Sequence, residues 1–315
     1  MGVLTVRGLV PDSEVRMFNS HIHLVAHPPA WLYKTPSFEN DPDYFLTDWE
    51  RGLEELRHLI DSGGRGALDA TTRDYGRNPA ALKYIVDRAP GFHLVAVTGF
   101  NRGIYLDDSY YNTPLDRLAD FFASEVSEGM EGTGLKAGVI KVGADYMRML
   151  PIEEKCMKAA AIAHKATGAP IVAHTTLGTF AAEIQVFLER EGVDPGSVVF
   201  FHADRNLDPW YWSMVLEKGS YIVLDQIGKI KYSPDGRRAE FIADMVSRGY
   251  EGQILLGTDF ARRSDFKSYG GGPGLGYLFS SFIPLLRRVL RSKGFEERLA
   301  DTFTNENPSK ALRIR

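Results

Sequence analysis

The sequence predicts an α/β fold, a closed (β/α)8 TIM barrel, and three observations predict it. Eight short β-branched runs recur along the chain, "RMFNSHIHL", "RGALDAT", "HLVAVTGF", "AGVIKVG", "APIVAHT", "SVVFFHAD", "SYIVLDQ" and "QILLGTDF". Amphipathic helical stretches separate most of them, and strand then helix, repeated, means a parallel sheet with its crossovers packed on the faces. The runs are almost continuously apolar, which suits a sheet covered on both sides, and eight such units in 315 residues match the size of a barrel. A doubly wound open sheet is the runner-up. It wants a Gly-rich turn directly after the first strand, which "NSHIHLVAHPPAW" lacks, while "YGGGPGLGY" neither matches GxGxxG nor directly follows a strand. That glycine segment reads as a loop.

Taken in order, the first strand ends in His21 and His23, which a period of two turns to the same side, with Ile22 toward the helix layer. The helix "WERGLEELRHLIDSG" follows, and "NPAALKYIVDRA" follows the second strand. The fourth strand carries Lys141, and the helix after it, "IEEKCMKAAAIAHKATG", holds the single cysteine, Cys156, at helical spacing among alanines, which reads as a packed thiol. The fifth strand ends in His174, the helix "TFAAEIQVFLEREG" comes next, and the sixth strand ends in His202. The helix "RAEFIADMVSRG" separates the seventh strand from the eighth, which ends in Asp259. Several of these helices close on Gly, as helix C-termini do.

Composition narrows the function. With 44% hydrophobic and 25% charged residues the chain is ordinarily globular, and no low-complexity tract, repeat or long linker divides it, so one barrel domain over residues 1–315 is expected. A net charge of −4 leaves no basic stripe for nucleic acid or anionic lipid. No apolar run reaches the roughly 18 residues of a membrane span, and the first residues do not read as a signal peptide. A cytoplasmic protein without nucleic-acid or membrane partners is the expectation.

In a barrel the chemistry sits at the C-terminal ends of the strands. Singly, each candidate there has a plain alternative. An HxH pair is often only polar, Lys141 could snorkel to solvent, His174 and His202 could be satisfied interior histidines, and Asp259 could cap a turn. Converging on one rim, they read as a metal site. Six ligand-type residues exceed what one tetrahedral zinc needs, so two divalent metal ions are inferred, bridged by an anion that an ordinary lysine cannot be.

The order HxH, strand-4 Lys, two strand-end His and strand-8 Asp resembles the phosphotriesterase family of the amidohydrolase superfamily, from "GVLTVRG" to "NENPSKAL". The resemblance implies that Lys141 is carboxylated by carbon dioxide to a carbamate, that His21, His23 and Asp259 hold one metal, zinc by preference, and that His174 and His202 hold the other. Many members have HEH where this chain has HIH, but the middle residue points away from the metals. "HADRNLDPWYW", "LDQIGKIKYSPDGR" and "ARRSDFKSYGGGPGLGY" are similar to the phospho-furanose lactonase branch, which opens 1,4-lactones of sugar-acid phosphates.

The residues point the same way independently. Lys229 and Lys231 lie in the loop after strand 7, and Arg262, Arg263 and Lys267 in the loop after strand 8, where barrels frequently bind phosphate. They are either an anion grip or solvated loop charges. At "SDFKSY" the tyrosine expected just after the arginine is replaced by Asp265 or Phe266, leaving Lys229, Arg262 and Tyr269 as the foremost substrate-binding candidates, with Lys231, Arg263 and Arg205 beside them. Asp204, Arg205 and Asn206 either touch sugar hydroxyls or hold their loop. Trp210, Tyr211 and Trp212 are expected at the substrate mouth or at a subunit contact, a homodimer being open. The expected reaction is attack of metal-activated water on a lactone carbonyl, with Asp259 accepting the proton. Hydrolysis of unphosphorylated lactones or of phosphotriesters at the same metals is the alternative, followed by a non-catalytic ligand-binding barrel and a deaminase.

Overall fold

A computed structural model describes residues 2–29 and 42–315. A two-stranded hairpin, β1 (Gly2–Thr5) and β2 (Gly8–Pro11), precedes eight strands: β3 (Phe18–Ile22), β4 (Gly66–Asp69), β5 (His93–Gly99), β6 (Ala137–Ala144), β7 (Ile171–Thr175), β8 (Val198–Phe200), β9 (Tyr221–Leu224) and β10 (Ile254–Leu256). The eight pair in sequence order, every pair parallel. All eight β-branched runs are therefore strands of one sheet.

The sheet curls until its ends meet. The Asp259 and Thr258 amides, just past β10, donate to the His21 carbonyl in β3 at 2.9 and 3.2 Å. Gly257 permits this approach, because a Cβ there would lie 2.9 Å from the His21 nitrogen. Helices fill the connections as the sequence indicates, including Trp49–Asp61, Pro79–Asp87, Pro151–Thr167, Ala181–Arg190 and Asp235–Ser247. Side-chain caps set several starts: Asp48 accepts from the Glu50 and Arg51 amides, and Asn78 from that of Ala81. Leu115–Ser127, Pro209–Leu216 and Ile283–Ser292 are further helices.

Strand residues alternate between two apolar layers. Val139, Val172, Val223 and Leu255 pack in the barrel interior, while Ile140, Ala173, Leu224 and Leu256 pack outward against the helices. Both faces of each strand are thus buried, which is why the runs are apolar throughout. The N-terminal end of the barrel is filled by Val3 of the hairpin together with Ala311, which ends the last helix, and Leu312 just after it, all in the interior layer. Cys156 is fully buried in its helix, as expected. Among the described residues no helix is long and apolar enough to cross a membrane.

Candidate metal centre

Strand parity delivers the polar side chains to the open end. Lys141 stands two residues beyond interior Val139, His174 two beyond Val172, and Asp225 two beyond Val223, so each points into the barrel just above the apolar layer. His21 and His23 come from the end of β3, and His202 and Asp259 from just past β8 and β10. Those last two have left-handed backbones, with φ of 65° and 46°, a conformation uncommon for such residues and often found at functional sites.

The six expected residues are brought together. Nε2 of His21 and of His23 lie 3.2 and 3.3 Å from Oδ1 of Asp259. Nε2 of His202 lies 2.9 Å from Nδ1 of His174. The Lys141 ammonium, 1% exposed, donates to the Ala70 carbonyl at 2.8 Å. Oδ2 of Asp259 accepts from Gln226 Nε2 at 2.8 Å and Lys229 Nζ at 2.9 Å.

The opposite nitrogens are held from behind. Asp225, fully buried, takes Nδ1 of His21 at 2.8 Å on one oxygen and Nδ1 of His202 at 2.9 Å on the other. Nδ1 of His23 is 2.7 Å from Thr71 Oγ1. Asp225 is in turn fixed by its own backbone: the amides of Asp225 and Gln226 donate to Asp204, whose Oδ2 receives Nε of buried Arg238 at 2.6 Å. Of the two roles open to Asp204, this one holds the loop. Asp225 and Arg238 were not singled out from the sequence, although "SYIVLDQ" carries its aspartate at a strand end just as the other strands carry theirs.

The donor set fits divalent cations. His21, His23 and Asp259 form one group with converging ligand atoms, and Nε2 of His21 is buried without a hydrogen-bond partner among the described residues. A second grouping, His21, His202 and Asp225, is the hydrogen-bonded support just described. Burial lowers the pKa of His21 and His174 and takes that of His23 down to about 4, keeping these imidazoles neutral with a lone pair to give. For His202 burial pushes downward too, but the Asp225 and Asp259 carboxylates together outweigh it and the pKa rises. Burial also brings Lys141 down to about 8.

A cleft of about 170 Å³ opens over these groups. Lys229 and Arg262 line it, as do Tyr44, Tyr75, Asn101, Tyr105 and Tyr232, which the sequence did not single out. The other expected substrate contacts stand back from its walls. Lys231 is exposed with its ammonium 5.1 Å from the Tyr232 ring centroid, Arg205 lies 3.7 Å over the same ring, and Arg263 donates to the Phe45 carbonyl and covers Tyr269. Trp212 is fully buried and donates through Nε1 to the Asn206 carbonyl at 2.7 Å. Tyr211 accepts from the Ala181 amide at 2.8 Å. Both are packing residues rather than mouth residues, because their polar atoms are satisfied inside the helical layer, and only Trp210 is exposed, at 71%.

The sequence profile described as the phosphotriesterase family matches residues 1–312. The chain is 34% identical over 275 residues to a phosphotriesterase homology protein of Escherichia coli (strain K12), covering 86% of this chain and 91% of that one. It is 30% identical over 332 residues to a phospho-furanose lactonase of Mycoplasmopsis agalactiae, covering 98% and 91%. Among solved structures, a lactonase from Listeria monocytogenes superposes with a TM-score of 0.94 at 33% identity, over 100% of both chains.

Proposed function

The chain belongs to the phosphotriesterase family and is a hydrolase, and from that premise we propose that it opens the 1,4-lactone of a small sugar acid in its phosphorylated form. One observation carries this reading. The same small cleft that holds the imidazole, carboxylate and lysine set is walled by the Arg262 guanidinium and by tyrosines 44, 75, 105 and 232, a polar lining suited to a compact, hydroxylated anion rather than to a long acyl chain.

His21, His23 and Asp259 would hold one divalent cation, and His174 and His202 a second, zinc being the natural choice for a nitrogen-rich set. When bound, such cations polarise a carbonyl and bring the pKa of water down to about 7. Lys141 is suited to join them as a carbamate. With its pKa near 8, roughly a tenth of it is neutral amine at pH 7. That amine can add carbon dioxide and release a proton, turning a buried cation into an anion.

Asp259 works from both oxygens. Gln226 and Lys229 fix Oδ2, while Oδ1 faces His21 and His23, where it can take the proton of an attacking water and return it to the ring oxygen as the lactone opens. Arg262 offers a planar donor fork for the phosphate. One observation favours hydrolysis of unphosphorylated lactones as a second reading: Lys229 is paired with Asp259, and Lys231 and Arg263 stand outside the cleft.

Metal analysis together with kcat/KM on an aldono-1,4-lactone, with and without its 5-phosphate, tests the proposal. Removing the phosphate should cost about 10–100-fold, the weight of a charge-assisted contact. Equal rates would leave the second reading, and absence of any lactone hydrolysis would overturn both.

A further inference from the structure

Asn101 lies just past the end of β5, on the same rim as Lys141. It lines the cleft, is 6% exposed, and its carboxamide Oδ1 is buried with no hydrogen-bond partner among the described residues. Leaving such an acceptor unpaired costs about 1–3 kcal/mol, and native proteins carry few of them. A leucine of similar volume would fill the same space without that cost.

The backbone offers the side chain no retreat. The Asn101 amide donates to both oxygens of buried Asp74, at 2.9 and 3.2 Å. Its carbonyl is backed by Gly143 of β6, where a Cβ would come within 1.9 Å of that oxygen, so the strand passes against Asn101 only because residue 143 lacks a side chain. The main chain of Asn101 is therefore fixed at the cleft rim before any ligand arrives. The carboxamide makes no hydrogen bond with the six candidate ligands or with Asp225, so the metal set does not explain it.

We propose that Asn101 is a specificity-determining residue whose carboxamide oxygen accepts a hydrogen bond from a ring hydroxyl of the substrate. This rests on the lactonase reading above and deepens it: the substrate class becomes lactones with a free hydroxyl on the ring. Arg262 would sense the anionic arm of such a molecule and Asn101 its ring. A preformed buried acceptor is a strong discriminator, because a substrate without the hydroxyl leaves it unpaired.

The test measures kcat/KM for an aldono-1,4-lactone 5-phosphate and for its 2-deoxy and 3-deoxy counterparts, on the wild-type protein and on Asn101→Leu and Asn101→Ala. The wild type should prefer the hydroxylated lactone over at least one deoxy counterpart by about 10–100-fold, and both variants should bring that ratio below about threefold. A wild-type protein with no preference overturns the inference even if neither variant folds. So does a variant that turns over lactone and keeps the full preference, while the lactonase reading stands in both cases. A wild type that hydrolyses no lactone at all removes the two together.

Discussion

Nζ of Lys229 lies 2.9 Å from Oδ2 of Asp259 and also donates to the Asp259 main-chain carbonyl, so a loop lysine expected at the substrate is committed to the carboxylate that faces His21 and His23. Burial alone would push the Asp259 pKa up, but the Lys229 ammonium, followed by His21, holds it well below the usual carboxylate range. Lys229→Met should therefore raise that pKa. Under the proposed role of Asp259 as proton acceptor, activity would be lost on acidification at a higher pH than in the wild type, moving the acid limb of the kcat/KM profile upward by about one unit or more. Turnover of phosphorylated and unphosphorylated lactones should fall together. An acid limb that stays in place would show that Lys229 does not govern Asp259.

Arg262 should behave in the opposite way. Its guanidinium carbon stands 4.2 Å from the Tyr44 ring centroid and Nη1 is 4.0 Å from Asp43 Oδ2, so the group is oriented on the cleft wall rather than spent on the ligand set. Arg262→Met is expected to lower kcat/KM about 10–100-fold on the phosphorylated lactone and within about threefold on the unphosphorylated one. Equal losses on both would take phosphate recognition away from Arg262.

Asp225 supports two imidazoles at once, and its replacement should be read out in metal affinity. Asp225→Asn preserves shape, but an amide nitrogen cannot accept from Nδ1 of His21 or His202, so one ring loses its orientation. Affinity for zinc, measured by chelator competition, should drop about 10–100-fold, with the far-ultraviolet circular dichroism retained. Arg238→Met, acting through Asp204, is expected to change it in the same direction. Undiminished affinity in both variants would reduce this network to packing.

Burial raises the Cys156 thiol from an ordinary 9.0 to about 12. Below pH 9 the thiol is protonated in folded and unfolded chains alike and has no effect on the pH dependence of stability. Between about 9 and 12 the unfolded thiol ionises while the folded one cannot, so stability falls by up to about 1.4 kcal/mol per unit as pH rises. Urea midpoints at pH 8 and 10 should converge for Cys156→Ala relative to the wild type. The thiol should also resist alkylation until the chain is unfolded.

How much of this was legible beforehand follows from where the information lies. His21, His23, Lys141, His174, His202 and Asp259 could be read because each sits at the end of an apolar run, and strand parity carries such residues to one rim without further knowledge. Asp225 occupies an equivalent place, yet its role depends on two histidines from other strands, which only the closed barrel reveals. Tyr44, Tyr75, Tyr105 and Asn101 come from loops, where no period constrains direction, and nothing in the sequence separates a tyrosine on a cleft wall from one in the helical layer. Of the charges after strands 7 and 8, Lys229 and Arg262 line the cleft, whereas Lys231 and Arg263 meet aromatic rings and a main-chain carbonyl instead.

The amide of Asp259 donates to the carbonyl of His21 across the join between β10 and β3, so the first and last strands meet at the spot where their side chains converge. His21 and Asp259 lie 238 residues apart along the chain, so no segment that stops short of Asp259 can supply both. Under the proposed ligand assignment, a growing chain offers the ion at most a weak, incomplete grip. Loading at this group then waits for the end of β10 to close against β3, which makes the ring closure of the sheet and the assembly of the group one event.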